Sequence, residues 1–149
     1  MLFSKGLGAI ALIITGTLAG IRFSKKLELR RRKLNGFYII IRELCGGIKT
    51  GEEIDSILES SDVQNLVYKD GLNIKPAPED LNKEDLKVLT EFFSLVGMGD
   101  AESQILRCET YSELLKKRLQ NAELEVKEKA KLYSTLGFFS GLFIVILLI

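Results

Sequence analysis

The sequence predicts an all-α protein, an antiparallel helical bundle whose first and last helices continue into transmembrane spans. Three observations carry that prediction. The last fifty residues, Asp100 to Ile149, contain no proline, and Ile105, Cys108, Tyr111, Leu115, Leu119, Ala122, Val126, Ala130 and Tyr133 follow one another by three or four, the seam of one helical face. Both ends are apolar: Gly6 to Ile21 is uncharged, and the eighteen residues from Leu132 onward carry no charged side chain, close to the roughly twenty apolar residues that span a bilayer. Outside those runs there is no strand-like alternation of any length. The expected division is a first span at 1–23, a cytoplasmic helical-bundle domain at 24–131 and a second span at 132–149.

The first span is short, and Lys5, the apolar run and Thr17-Leu18-Ala19 also imitate the three regions of a cleaved signal peptide. The residues that follow oppose cleavage and export. From Arg22 to Lys33 there are seven basic residues and one acidic, including Arg22, Lys25, Lys26, Arg30, Arg31 and Arg32. Such clusters mark the cytoplasmic side of a span and meet anionic lipid headgroups. Lys127, Lys129 and Lys131 precede the second span in the same way, which places the central domain in the cytoplasm and both termini opposite. Small residues recur at helical spacing in both spans: Gly16 and Gly20 beside Ala11, Thr15 and Ala19 in the first, Gly137 and Gly141 in the second. Stripes of this kind let helix backbones approach closely in lipid, as a hairpin within one chain or between copies in a homo-oligomer. Chance spacing of glycine, a common residue in such helices, is the plainer alternative.

The elements of the central domain follow in order. Ser24 to about Cys45 continues the first helix, with Leu34, Phe37, Tyr38, Ile41, Leu44, Cys45 and Ile48 on one face and Gly36 a mild weakness. Gly46-Gly47 is expected to loosen its end, and Thr50 with Glu53 three later resembles a capping box that opens a second helix through Ile54, Ile57 and Leu58. Val63 to Tyr68 reads as a further short helical piece, and Asp70-Gly71, Pro76 and Pro78 as a loop. Asn82, with Asp85 three later, caps a helix carrying Leu86, Leu89, Phe92, Phe93 and Val96. That helix stops at Gly97-Met98-Gly99, and Asp100 caps the long final helix, an antiparallel neighbour. Glu113/Lys117, Glu123/Lys127 and Glu125/Lys129 are solvated pairs along it.

Residue inventory limits the chemistry. Histidine is absent, which removes His-based triads and makes an ordinary zinc site a poor fit. There is no phosphate-binding glycine loop, no nucleophile elbow and no Cys-x-x-Cys pair, so no enzyme, cofactor or metal is expected. Cys45 and Cys108 fall on apolar faces, where free cysteine behaves as a small hydrophobe, and are expected to be reduced in the cytoplasm. The stretch Glu52 to Glu102 carries thirteen acidic and four basic residues. This is a solvated acidic surface or, more sharply, a docking face for a basic partner that includes Glu52, Glu53 and Glu84. An acidic domain argues against nucleic-acid binding.

One set of residues resembles a known family. Phe93-Ser94-Leu95-Val96-Gly97-Met98-Gly99-Asp100, then Gln104, a charged helix, Leu132-Tyr133-Ser134-Thr135-Leu136-Gly137 and a glycine-punctuated end resemble the stage III sporulation protein AB family. Arg42-Glu43-Leu44 through Gly47 to Thr50-Gly51-Glu52-Glu53-Ile54 resembles the family's first hairpin. The stretch from about Ser60 to Pro78 departs from it, being compact and irregular where fuller helical structure is expected. The resemblance implies a membrane component of the channel that endospore-forming bacteria build between mother cell and forespore. It also implies a helical domain similar to those of type II secretion and type IV pilus platform proteins. Its partners would be a cytoplasmic secretion-type ATPase, the AA-type protein of the same operon, other membrane subunits of the channel, and lipid. Gly97, Asp100 and Gln104 are then candidates for partner contact, with helix capping as the simpler role. A membrane-tethered sensor or adaptor, whose long helix transmits a signal, is the alternative of a different class.

Overall fold

The computed structural model describes residues 2–59, 65–70 and 73–148; the side chains of 2–13, 130, 134, 141, 144, 145, 147 and 148 lie outside the description. The helices are α1 (Leu2–Thr50), α2 (Ile54–Leu58), α3 (Lys83–Leu95), α4 (Ala101–Glu125) and α5 (Lys131–Leu148). A π-helical turn, Val126–Ala130, separates α4 from α5, and two strands, β1 (Val67–Asp70) and β2 (Asn73–Pro76), precede α3. The chain divides into two compact units, Arg30–Asn121 and the pair Met1–Leu29 with Ala122–Ile149.

In the Arg30–Asn121 unit the core forms where the α1 seam meets α3 and α4. Phe37, Ile41 and Leu44 of α1, Leu89, Phe92 and Phe93 of α3, and Cys108 and Leu115 of α4 are buried together. Phe37 meets Phe93 edge-on at 6.0 Å between ring centroids, Phe92 meets Phe93 at 5.2 Å, and Phe92 meets Tyr111 at 5.3 Å. Edge-on pairs of this kind add about 0.5–1.5 kcal/mol each beyond the area they bury. Asp85 pairs with Arg30 near the start of the unit, whereas Leu95 and Val96 share a small void with Leu44 and Ile48. α3 therefore runs in the direction of α1, and α4 returns antiparallel to both.

The all-α expectation needs one correction. β1 and β2 pair antiparallel, from Val67 opposite Pro76 to Asp70 opposite Asn73, and this small sheet supplies the return leg before α3. Of the helical piece expected at Val63 to Tyr68, Val63 and Gln64 lie outside the described residues, and Val67 and Tyr68 belong to β1. Valine, tyrosine and isoleucine suit a half-buried pleated surface, and Val67 and Ile74 indeed face the core. Leu66 rests against Gly36, where a Cβ would stand 2.6 Å from Leu66 Cδ1. Gly36 is thus the seat on α1 that lets the hairpin approach.

The end of α1 is the second correction. Gly46 and Gly47 do not loosen it: the helix runs to Thr50, and the side chain of Ile57 occupies the space a Cβ on Gly47 would need. Gly51 then adopts φ +78°, with its amide donating to Ile48 O at 3.3 Å and the Glu52 amide to Gly47 O at 2.8 Å. This is a Schellman ending with glycine in the left-handed position. Thr50 spends its hydroxyl on Gly47 O (3.1 Å), and Glu53 caps α2 without a side-chain bond, so no capping box forms.

The third correction concerns the final helix, which is interrupted by its π-turn. From Ala122 through Tyr133 to Gly137 the seam spends fifteen residues on four turns, about 3.75 per turn against 3.6 for an α-helix. One widened turn absorbs most of that excess. Glu125 and Lys129 form an ion pair at 3.5 Å across it. Among the described residues no helix is long and apolar enough to cross a membrane.

Candidate functional site

Asp85 is the only charged residue in the buried core of the described residues, and it has no solvent exposure. Asn82 places it: with φ −83° and ψ 167° Asn82 caps α3, and its side-chain oxygen accepts the Asp85 amide at 2.7 Å, as the spacing predicts. The Asp85 carboxylate therefore sits in the first turn of α3, where the helix dipole favours negative charge. Arg30 of α1 donates through Nε to one carboxylate oxygen at 2.8 Å, and Arg118 of α4 donates through Nη1 to the other at 2.9 Å. Arg118 also lies 3.7 Å from Glu84, which is mostly exposed. Removing water from an ion costs several kcal/mol, and charge-assisted bonds to both oxygens offset that cost. One carboxylate thus ties three helices together.

Beside this node Lys33 donates to the backbone oxygen of Glu79 at 2.7 Å and to its carboxylate at 3.2 Å. The Glu79 carboxyl is held below its ordinary value, first by a hydrogen bond from its own amide and then by Lys33. Arg22, Lys25, Lys26 and Arg32 are exposed and Arg31 is half-buried. Arg30, expected from the sequence among the lipid-facing residues, gives its Nε to Asp85 instead.

At the opposite end of the unit, Gly97 and Gly99 adopt φ +81° and +86°. Asp100 accepts the Ser103 amide at 3.2 Å and Gln104 donates to Gly99 O at 3.1 Å. Bonds from the Ser103 side chain and amide hold the Asp100 carboxyl below its usual value. Arg107 reaches back to Leu95 O (3.1 Å) and Met98 O (2.8 Å), satisfying the last carbonyl of α3 and one of the turn that follows. Asp100 and Gln104 are thus engaged in the turn itself. The void behind them, bounded by Phe92, Val96 and Cys108 among others, measures about 10 Å³, the room of one water molecule.

The acidic trio does not form one surface. Glu84 stands beside the Asp85 node, whereas Glu52 and Glu53 follow the far end of α1, twenty helical residues and about 30 Å from Arg30. Among the described residues no group of three or more cysteine, aspartate or glutamate side chains is placed to hold a metal ion.

In the second unit, Gly16 and Gly137 meet backbone to backbone: a Cβ on Gly16 would stand 2.9 Å from Gly137 O, and one on Gly137 2.6 Å from Gly16 O. Phe23 and Tyr133 meet at a 55° tilt, 4.4 Å between ring centroids, so the two helices run antiparallel here. Gly20 is buried, Thr15 and Ala19 are exposed, and Ala11 and Gly141 lie outside the described side chains. Leu136, Phe138, Phe139, Phe143 and Ile146 all point outward.

These features define a helical scaffold, with its buried carboxylate and the Gly97–Gly99 turn tying helices together. Residues 59–149 match the family described as stage III sporulation protein AB, and the chain belongs to that family, which gives it a sporulation-related role. No curated protein and no solved structure matches the chain significantly.

Proposed function

We propose that the protein is a non-catalytic platform subunit of the channel between mother cell and forespore, held in the membrane by two spans and docking a secretion-type AA-family ATPase. The observation that carries the membrane part is the inversion of packing around Gly16 and Gly137, where glycines make the contact and large apolar side chains face outward. Lipid favours that arrangement, because close backbone approach and not apolar burial drives helix association there. The basic residues flanking both apolar segments support a cytoplasmic Arg30–Asn121 unit, which in this channel is the mother-cell side. There a rigid helical unit offers an ATPase a fixed surface.

The test is a pull-down of the detergent-solubilised full-length protein from sporulating cells, with bound proteins identified by mass spectrometry. Recovery of a secretion-type ATPase together with other channel subunits is expected. Signalling proteins in their place would favour a tethered sensor or adaptor, and self-association alone a homo-oligomeric scaffold. Because Glu84 and the Glu52/Glu53 pair lie at opposite ends, separate charge reversals at each end would show which end the ATPase uses.

A further inference from the structure

Cys45 of α1 and Cys108 of α4 line one cleft of about 290 Å³, together with Arg42, Gly46, Lys49 and Glu109. Cys108 is 3% exposed and Cys45 is half-buried, so the cleft offers one thiol to solvent and keeps the other behind it. Arg42 and Lys49 stand one turn before and one turn after Cys45 on the same helix. Lys49 binds Glu109, the neighbour of Cys108, at 2.7 Å, which pins α1 to α4 beside the two sulfurs.

We propose that Cys45 and Cys108 form an oxidation site, at which a small peroxide converts the two thiols into one intramolecular disulfide that staples α1 to α4. The Cys45 thiolate attacks a peroxide oxygen, the O–O bond breaks, and hydroxide leaves and takes a proton, so that Cys45 becomes a sulfenic acid. The Cys108 sulfur then attacks that sulfur, the S–O bond breaks, and the Cys108 proton leaves with the departing hydroxide as the second water. Two thiols and one hydrogen peroxide give one disulfide and two waters. Both sulfurs are oxidised by one electron and the peroxide takes up two.

The two cysteines are suited to different steps. Arg42 and Lys49 place positive charge beside Cys45, and the Lys49 pKa is raised, first by its bond to Glu109 and next by the charge of Cys45. Burial pushes the Cys108 thiol up to about 11, which keeps it protonated until a sulfenic acid forms beside it. A disulfide needs Cα atoms about 4.4–6.8 Å apart, and helices packed at about 8–10 Å between axes, with each Cα about 2.3 Å off its axis, bring facing Cα atoms near that range.

The test treats the detergent-solubilised full-length protein with one equivalent of hydrogen peroxide, then alkylates free thiols after unfolding and measures intact mass and peptide linkage. Expected are a species lighter by about 2 Da, the two hydrogens removed, that resists alkylation, and a reducible peptide pair containing Cys45 and Cys108. Reductant restores two alkylation sites, and Cys45→Ser and Cys108→Ser each abolish the linked peptide. Sulfinic acid on Cys45 with Cys108 still alkylatable, or disulfides formed only between chains, would overturn the proposal.

Discussion

In the Arg30–Asn121 unit large side chains face inward, four aromatic rings interlock, and the one buried charge is met by two arginines. In the unit formed by residues 1–29 and 122–149 the tightest contact is between two glycines, and Phe138, Phe139 and Phe143 face out. The first arrangement is what water demands, since apolar area is removed from it and a buried ion is paired. The second puts little apolar area inside and gains close backbone contact between Gly16 and Gly137, an arrangement suited to apolar surroundings. The two units thus follow two packing rules within one chain.

The comparison breaks most easily at Asp85. Asp85→Ala leaves two arginines facing an empty core position and should cost about 3–5 kcal/mol, read as a lower denaturant midpoint for the Arg30–Asn121 unit. If the triple variant Arg30→Met, Asp85→Leu, Arg118→Met recovered most of the loss, the cluster would be shown to specify the fold more than to stabilise it. In the other unit Gly137→Leu should weaken the helix pair by about 1–3 kcal/mol, because the new side chain meets a backbone carbonyl that cannot rotate away. Disulfide trapping between Phe23→Cys and Tyr133→Cys in a cysteine-free background checks this, with efficient crosslinking expected before the substitution and little after it. Asn82→Ala removes the cap that holds Asp85 in place and should cost about 1 kcal/mol, visible in the same denaturant titration. The smallest effect belongs to Asp100. Its carboxyl is depressed in the folded state, so its contribution is present above the ordinary value of 3.8 and is lost as pH falls through the lower folded value. The thermal midpoint of Asp100→Asn should therefore differ from that of the parent protein near neutral pH, and the difference should shrink as the pH falls below that range.

Much of the fold was legible because local signals agreed. The α1 seam, the Asn82 cap and the Gly97–Gly99 turn each rest on residues within a few positions of one another, and all three stand where the spacing puts them. The hairpin was not legible, since four-residue strands are too short to show alternation and Gly36, the residue that admits it, lies thirty positions before Leu66. The Asp85 cluster was missed for a related reason: its partners are 55 and 33 residues away. Yet a signal existed. Arg30 precedes Leu34, Phe37 and Ile41 at helical spacing, Asp85 precedes Leu89, Phe92 and Val96, and Arg118 falls between Leu115 and Ala122. Three charges, one on each apolar seam and of complementary sign, point to a buried network. The split of Glu84 from Glu52 and Glu53 had no such signature, because which end of a bundle a residue occupies depends on topology.

The π-turn at Val126–Ala130 makes the length of this stretch a setting as well as a distance. Inserting one more residue would exceed what the widened turn absorbs and rotate everything beyond it by about 100° relative to Ala122. Gly137 would then swing away from Gly16 and a bulkier neighbour would take its place. The segment thus works as an indexing tooth, tolerant of many side chains but intolerant of an added residue.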